Sequence, residues 1–322
     1  MAKQLWVFLL FFSLNLLHGK DILLFVPGWY SEWINYSAHR EILQKTFPDT
    51  EIIIYKWDSN RLWENAKNSA EFCVDKICRK ISASSTPERY IIIGHSLGGR
   101  IAIKSAAILA KKKIKVKRII LLGTAAAPEP EELTALQKVS ENPVINIFCT
   151  DDNMLKLYIR QEQDFPLGFT GISKRIANFR QYRMPVTNHD IKLGKITLPQ
   201  HRSAESFRET AAHLAVNYLQ CLQTALNDKM TEFYIDYPAL EKVAAQGEVS
   251  HDNLPGFRQT DEFDSWVFSE RKIKTRFRIT APSGKHFYYT SRQSAVKNFN
   301  AVKQRLLNRK TEHVSEKQPR FH

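Results

Sequence analysis

Residues 94–98 read Gly-His-Ser-Leu-Gly, with Gly99 behind them. Ser96 sits between an apolar run, Tyr90–Ile93, and an Ala-rich segment from Leu97 to Lys112 that has the length and pattern of a helix. That context suits a strained strand-to-helix turn that lifts a serine hydroxyl out of the backbone. Glycines on either side let strand and helix approach without a Cβ clash. The N-terminus of the following helix adds positive potential where an oxyanion would develop. The chemistry this implies is nucleophilic attack by Ser96 Oγ, which needs a base and a group to orient that base.

Such residues must be held by a frame. From Asp21 to about Leu226, short apolar runs alternate with longer amphipathic segments. The strand-like runs are Ile22–Val26, Glu51–Trp57, Tyr90–Gly94, Arg118–Leu122, Val144–Cys149 and about Phe179–Pro185. Gly, Pro, Asp or Asn bound them, and Ile, Val and aromatics fill them. Helices are predicted near 31–46, 60–82, 97–112, 129–139 and 203–226. Regular β-α alternation predicts an α/β fold, a mostly parallel six-stranded sheet with helices on both faces.

With the elbow in that frame, residues 21–226 resemble the α/β-hydrolase superfamily, in its lipase and serine-esterase branch. The resemblance implies an oxyanion hole from the backbone N–H groups of Trp29, in Pro27-Gly28-Trp29, and of Leu97. It places the acid after Val144–Cys149, in Thr150-Asp151-Asp152, and favours Asp152, with one of the two aspartates expected to be a helix cap. It places the base in the loop before the last helix, where His201 precedes Arg202-Ser203-Ala204-Glu205. His189 is the alternative base. The chain order Ser, Asp, His is the order of this fold. The implied reaction is cleavage of an acyl ester or lipid through an acyl-enzyme, with no metal or organic cofactor. His95 is expected to be structural and His213 to be packed or solvated. The stretch from Gly123 to Val144 has room for one helix only, so no large cap is expected. Trp29, Tyr30, Trp33, Trp57 and Trp63 form either an apolar substrate wall or, Trp57 especially, part of the core. Asp58 is expected to cap the next helix.

Composition bounds the rest. Of 322 residues, 43% are apolar and 25% charged, which excludes a wholly disordered chain and a multi-span membrane protein. Lys and Arg number 47 against 33 Asp and Glu, a net charge of +14. Twelve of those cations, and no acid, fall in residues 271–310. This places a small basic α+β domain at 227–310, after a hydrolase domain at 20–226, with a tail at 311–322. Thr275–Ala281 and Lys285–Ser291 read as two strands joined by Pro282-Ser283-Gly284, followed by a basic helix near Ser294–Leu307. Residues 254–303 weakly resemble a methyl-CpG-binding domain through Leu254-Pro255-Gly256-Phe257, Phe277–Thr280 and Pro282-Ser283-Gly284-Lys285. The chain departs from that family at Arg271-Lys272-Ile273-Lys274 and at Arg276. What carries over is contact of residues 271–310 with an anionic surface or nucleic acid. Residues 1–19, a short basic start and the apolar Leu5–Leu17, read as a signal peptide or anchor, too short to span a bilayer core. Export is the expectation if that leader functions. Cys73 and Cys78, five apart on one predicted helix, read as core thiols, and no zinc-type spacing occurs.

Overall fold

A computed structural model of the chain describes residues 20–32, 34–59, 62–150, 152–162, 164–184, 204–234, 258–263, 266–271, 276–281, 286–289 and 292–315. The leader at 1–19, Trp33, Asp151, His189 and His201 lie outside the described residues.

Six strands make one parallel sheet in the order β2-β1-β3-β4-β5-β6. They are β1 (Asp21–Val26), β2 (Thr50–Ile54), β3 (Tyr90–His95), β4 (Arg118–Leu122), β5 (Val144–Phe148) and β6 (Phe179–Arg183). Each falls on a run expected from the sequence. Both faces of the central strands are apolar because both are covered. Leu24, Val26, Ile92, Ile119 and Leu121 point into one core. Their neighbours Leu23, Phe25, Ile91, Ile93, Ile120 and Leu122 point into the other. This is the two-residue period of a strand, with burial on both sides. Each such side chain contributes about 1.5–3 kcal/mol by leaving water.

Helices α2 (Trp63–Ser82), α3 (Leu97–Lys111) and α4 (Pro130–Val139) cover the first face. On the second face lie α1 (Ser37–Thr46) and α7 (Ala204–Leu226), through Leu43, Tyr218, Leu219 and Leu222. The chain thus has the α/β-hydrolase type of fold, a parallel six-stranded sheet between two helical layers. Between β4 and β5 stands α4 alone, whose start is fixed by a capping box between Glu129 and Glu132. Two helices had no range in the sequence reading, α5 (Asn153–Glu162), implied only by the expected aspartate cap, and the single turn α6 (Leu167–Thr170). Leu155, Tyr158 and Ile159 give α5 its apolar stripe, packed on Trp63, Ala125 and Phe169.

The C-terminal region holds a second, antiparallel sheet of four strands in the order β10-β9-β8-β7. Its strands are β7 (Arg258–Phe263), β8 (Trp266–Arg271), β9 (Arg276–Thr280) and β10 (His286–Tyr289). The last two match the expected hairpin. The first two lie where a mixed polar stretch was expected, because Arg258–Phe263 holds one apolar residue, Phe263, and Trp266–Arg271 holds only the short run Trp266-Val267-Phe268. Helix α8 runs over Arg292–Ser315, past the expected boundary at 310. Its Ala295, Phe299, Val302 and Leu306 pack on Phe277, Ile279, Phe287 and Tyr289. Phe148 of β5 and Phe233 join the same cluster and tie the basic unit to the parallel sheet.

The four cysteines are free thiols, all buried. Burial pushes Cys73 and Cys221 each up to about 12, as expected of inert core thiols. Among the described residues no helix is long and apolar enough to cross a membrane, and no His, Cys, Asp and Glu cluster suits a metal.

Candidate active site

Strand β3 ends at His95 and α3 begins at Leu97, so Ser96 alone makes the turn between them. Its backbone sits at φ +53° and ψ −120°, a region that costs a residue with a Cβ roughly 1–3 kcal/mol. Three backbone hydrogen bonds hold it there. Ser96 N–H donates to the Leu122 carbonyl at 2.9 Å, and its own carbonyl accepts from Gly99 N–H at 2.9 Å and Ala125 N–H at 3.0 Å. Gly98 makes the turn possible, since a Cβ there would stand 2.0 Å from the Val26 carbonyl oxygen. Gly28 presses on the serine from the opposite side. A Cβ on it would lie 2.7 Å from Ser96 Cβ and 3.2 Å from Ser96 Oγ.

The loop after β1 is therefore built against the serine, and buried polar groups pin it. Trp57 Nε1 donates to the Pro27 carbonyl at 2.8 Å. The Ser31 hydroxyl donates to the Gly28 carbonyl and lies 3.1 Å from the Ser59 hydroxyl. Tyr36 donates its hydroxyl to the Ser31 carbonyl at 2.7 Å. Trp57 is thus a buried clamp beneath the loop, while Trp29 and Trp63 line the pocket that opens beside Ser96. Their rings meet edge to face at 5.1 Å, and Trp63 meets Tyr158 of α5 the same way at 5.8 Å. Leu97 holds the first position of α3, where a backbone N–H has no intrahelical acceptor.

Asp152 lines the same pocket and is 3% exposed. Its Oδ1 accepts from Met154 N–H at 2.8 Å and Leu155 N–H at 3.1 Å, so it caps α5. Oδ2 accepts from the Tyr218 hydroxyl of α7 at 2.8 Å. Burial pushes this carboxyl above the usual range, and the Tyr218, Leu155 and Met154 donors pull it back. The cap and the pocket carboxylate, expected on different aspartates, are here one residue. Asp58 is exposed and does not cap α2, whose N-cap is Leu62 without a side-chain bond.

His95 is buried beneath the elbow, with its ring 5.7 Å from that of Tyr218. Burial, then the proximity of His39, pushes its imidazole down to about 3, so it stays neutral. His213 is exposed on α7. The described residues thus bring Ser96, Gly28, Trp29 and Asp152 to one pocket, at the carboxyl ends of β3, β1 and β5. That is where parallel α/β sheets place their ligands. The sequence reading missed Tyr218, Ser31, Ser59, Tyr158 and His39. Tyr218 and His39 look like ordinary members of an apolar helix face, since only folding brings Tyr218 to Asp152 and His39 to the pocket.

Residues 55–191 match a family described as a protein of unknown function (DUF726). No curated protein matches the sequence. Among solved structures, the Francisella virulence factor BioJ is similar at 14% identity and a TM-score of 0.34, over 66% of this chain and 78% of that one. The RedJ thioesterase of the prodiginine biosynthetic pathway in Streptomyces coelicolor is similar at 13% identity and 0.30, over 61% and 85%. Esterase B from Lactobacillus rhamnosis is similar at 10% identity and 0.30, over 66% and 80%. Scores of this size leave the functional reading to rest on the geometry of the chain itself.

Proposed function

We propose that this protein is a serine hydrolase that cleaves carboxylic esters through an acyl-enzyme. One observation carries the reading. Ser96 is held at positive φ on a strand-to-helix turn, against Gly28, beside a pocket that also holds the carboxylate of Asp152. Ser96 Oγ attacks the acyl carbon. A histidine of the stretch before α7, His201 or alternatively His189, takes the proton and returns it to the leaving alcohol. Asp152 orients that imidazole and stabilises its cation through Oδ2, which has a second lone pair beside the Tyr218 bond. The backbone N–H groups of Trp29 and Leu97 receive the developing oxyanion. Water then releases the acid. Trp29, Trp63, Leu155 and Tyr158 supply an apolar wall that suits an acyl chain. A fluorophosphonate probe tests the reading. It labels the wild type, Ser96→Ala abolishes the label, and substitution of the true base, His201 or His189, suppresses it.

The segregation of charge on α8 favours a second role, for the basic unit. Its Ala295, Phe299, Val302 and Leu306 are buried, whereas Arg292, Lys297 and Arg305 face solvent. The unit holds the hydrolase on an anionic surface, with nucleic acid as the alternative polyanion. Sedimentation with anionic vesicles and a filter assay with duplex DNA, each across a salt series, distinguish them. No binding to either at low salt removes this role.

A further inference from the structure

His39 stands out among the pocket residues because the triad does not use it. It lies on α1, is 2% exposed, and borders the same pocket as Ser96. Its ring is wedged between Tyr36, 5.0 Å away, and Phe25, 6.0 Å away. Neither Nδ1 nor Nε2 makes a hydrogen bond. The backbone carbonyl of Ala212 on α7 acts on the ring but makes no hydrogen bond to it. Even if a small movement closed that contact, one carbonyl meets one N–H, and the other ring nitrogen keeps an unmatched lone pair. A buried polar atom left so costs about 1–3 kcal/mol.

We infer that His39 is a specificity residue, and that the substrate carries a hydroxyl group on the part that fills this pocket. This rests on the esterase reading of the same site. A hydroxyl both donates and accepts, so it meets either ring nitrogen in either tautomer. A plain alkyl chain leaves the nitrogen unmatched. Burial pushes the His39 imidazole down to about 4, with Ala212 opposing and His213 adding to the fall. The ring is therefore neutral at pH 7 and offers a second carboxylate no cation. With His95 also neutral beside it, this end of the pocket selects an uncharged polar group rather than an acid.

The experiment compares matched esters. One pair is p-nitrophenyl hexanoate and p-nitrophenyl 6-hydroxyhexanoate, and the other is the hexanoate esters of hexan-1-ol and hexane-1,6-diol. The wild type prefers the hydroxylated member of one pair by about tenfold in kcat/KM, the discrimination of one desolvated hydrogen bond. His39→Phe brings that ratio to about one, and His39→Met serves if the Phe variant does not fold. No preference in either pair, as when an ordered water satisfies the ring, overturns the proposal, and so does a ratio unaltered by the substitution. Absence of turnover together with absence of Ser96 labelling is instead the failure of the esterase reading. In that case calorimetric binding of hexane-1,6-diol against hexan-1-ol, in wild type and His39→Phe, decides the proposal by the same ratio.

Discussion

The two sheets of this protein solve the same problem in opposite ways. The parallel sheet is covered on both faces, so its central strands are mostly apolar, as in Ile91-Ile92-Ile93. Apart from the buried Asn146 of β5, the polar residues of β1, β3, β4 and β5 stand at strand ends, and Ser96, Gly28 and Asp152 meet at the carboxyl ends. In the antiparallel sheet, β9 shows the alternation of a sheet with one buried face. Phe277 and Ile279 are buried, while Arg278 and Thr280 are half-buried. That sheet and α8 carry cations more densely than the parallel sheet, whose cations are Arg118, Arg180 and Arg183. The difference separates the two proposed roles, with ester chemistry in the first region and anionic contact in the second.

The comparison breaks most severely at Gly98. In Gly98→Val the new Cβ meets the Val26 carbonyl, and the loss of stability is on the order of 4 kcal/mol or more, read by chemical denaturation. A loss below about 1 kcal/mol would mean that the elbow is not as tightly packed as described. Asp152→Asn sharpens the chemical side. The amide oxygen keeps the α5 cap, but the charge that stabilises an imidazolium is gone, so kcat/KM falls by about 10^3 with a melting temperature at or above that of the wild type. Phe299→Ala addresses the other region. It opens the core under α8 at a cost of about 3 kcal/mol, seen as faster hydrogen exchange in β9, β10 and α8, while fluorophosphonate labelling of Ser96 persists. Loss of labelling would show the regions to be coupled through Phe148.

The smallest effect is in acid. His39 and His95 are both held below the ordinary value of 6.5 by burial. The stability of the neutral rings is complete above pH 6.5. It is lost as pH falls towards about 4 for His39 and about 3 for His95, because the unfolded chain takes up protons first. His39→Phe removes one such group, and the drop in stability between pH 7 and pH 4 shrinks by about 2 kcal/mol.

What the sequence made legible follows from the same contrast. Six strands and the Ser96 elbow were readable because, apart from the edge strand Phe179–Arg183, the parallel strands are largely continuous apolar runs bounded by turn residues. The helix α5 was not, because Asp152 and the residues after it read first as a site loop, although Leu155, Tyr158 and Ile159 carry a helical period. Strands β7 and β8 were not, because Phe263 is the one apolar residue of β7 and β8 has only the three-residue run Trp266-Val267-Phe268. Within the site, Ser96 and Asp152 announce themselves by local motif and order. His39 reaches the pocket, and Tyr218 reaches Asp152, only through the packing of α1 and α7 on one face of the sheet, which no local pattern encodes.

The central claim is that Ser96 is a nucleophile activated within this fold. Intact-mass measurement after fluorophosphonate treatment tests it most directly. The expected result is one adduct in the wild type, mapped to the peptide containing Ser96, and none in Ser96→Ala of unchanged melting temperature. An unmodified wild type, or an adduct that persists in Ser96→Ala, would contradict it.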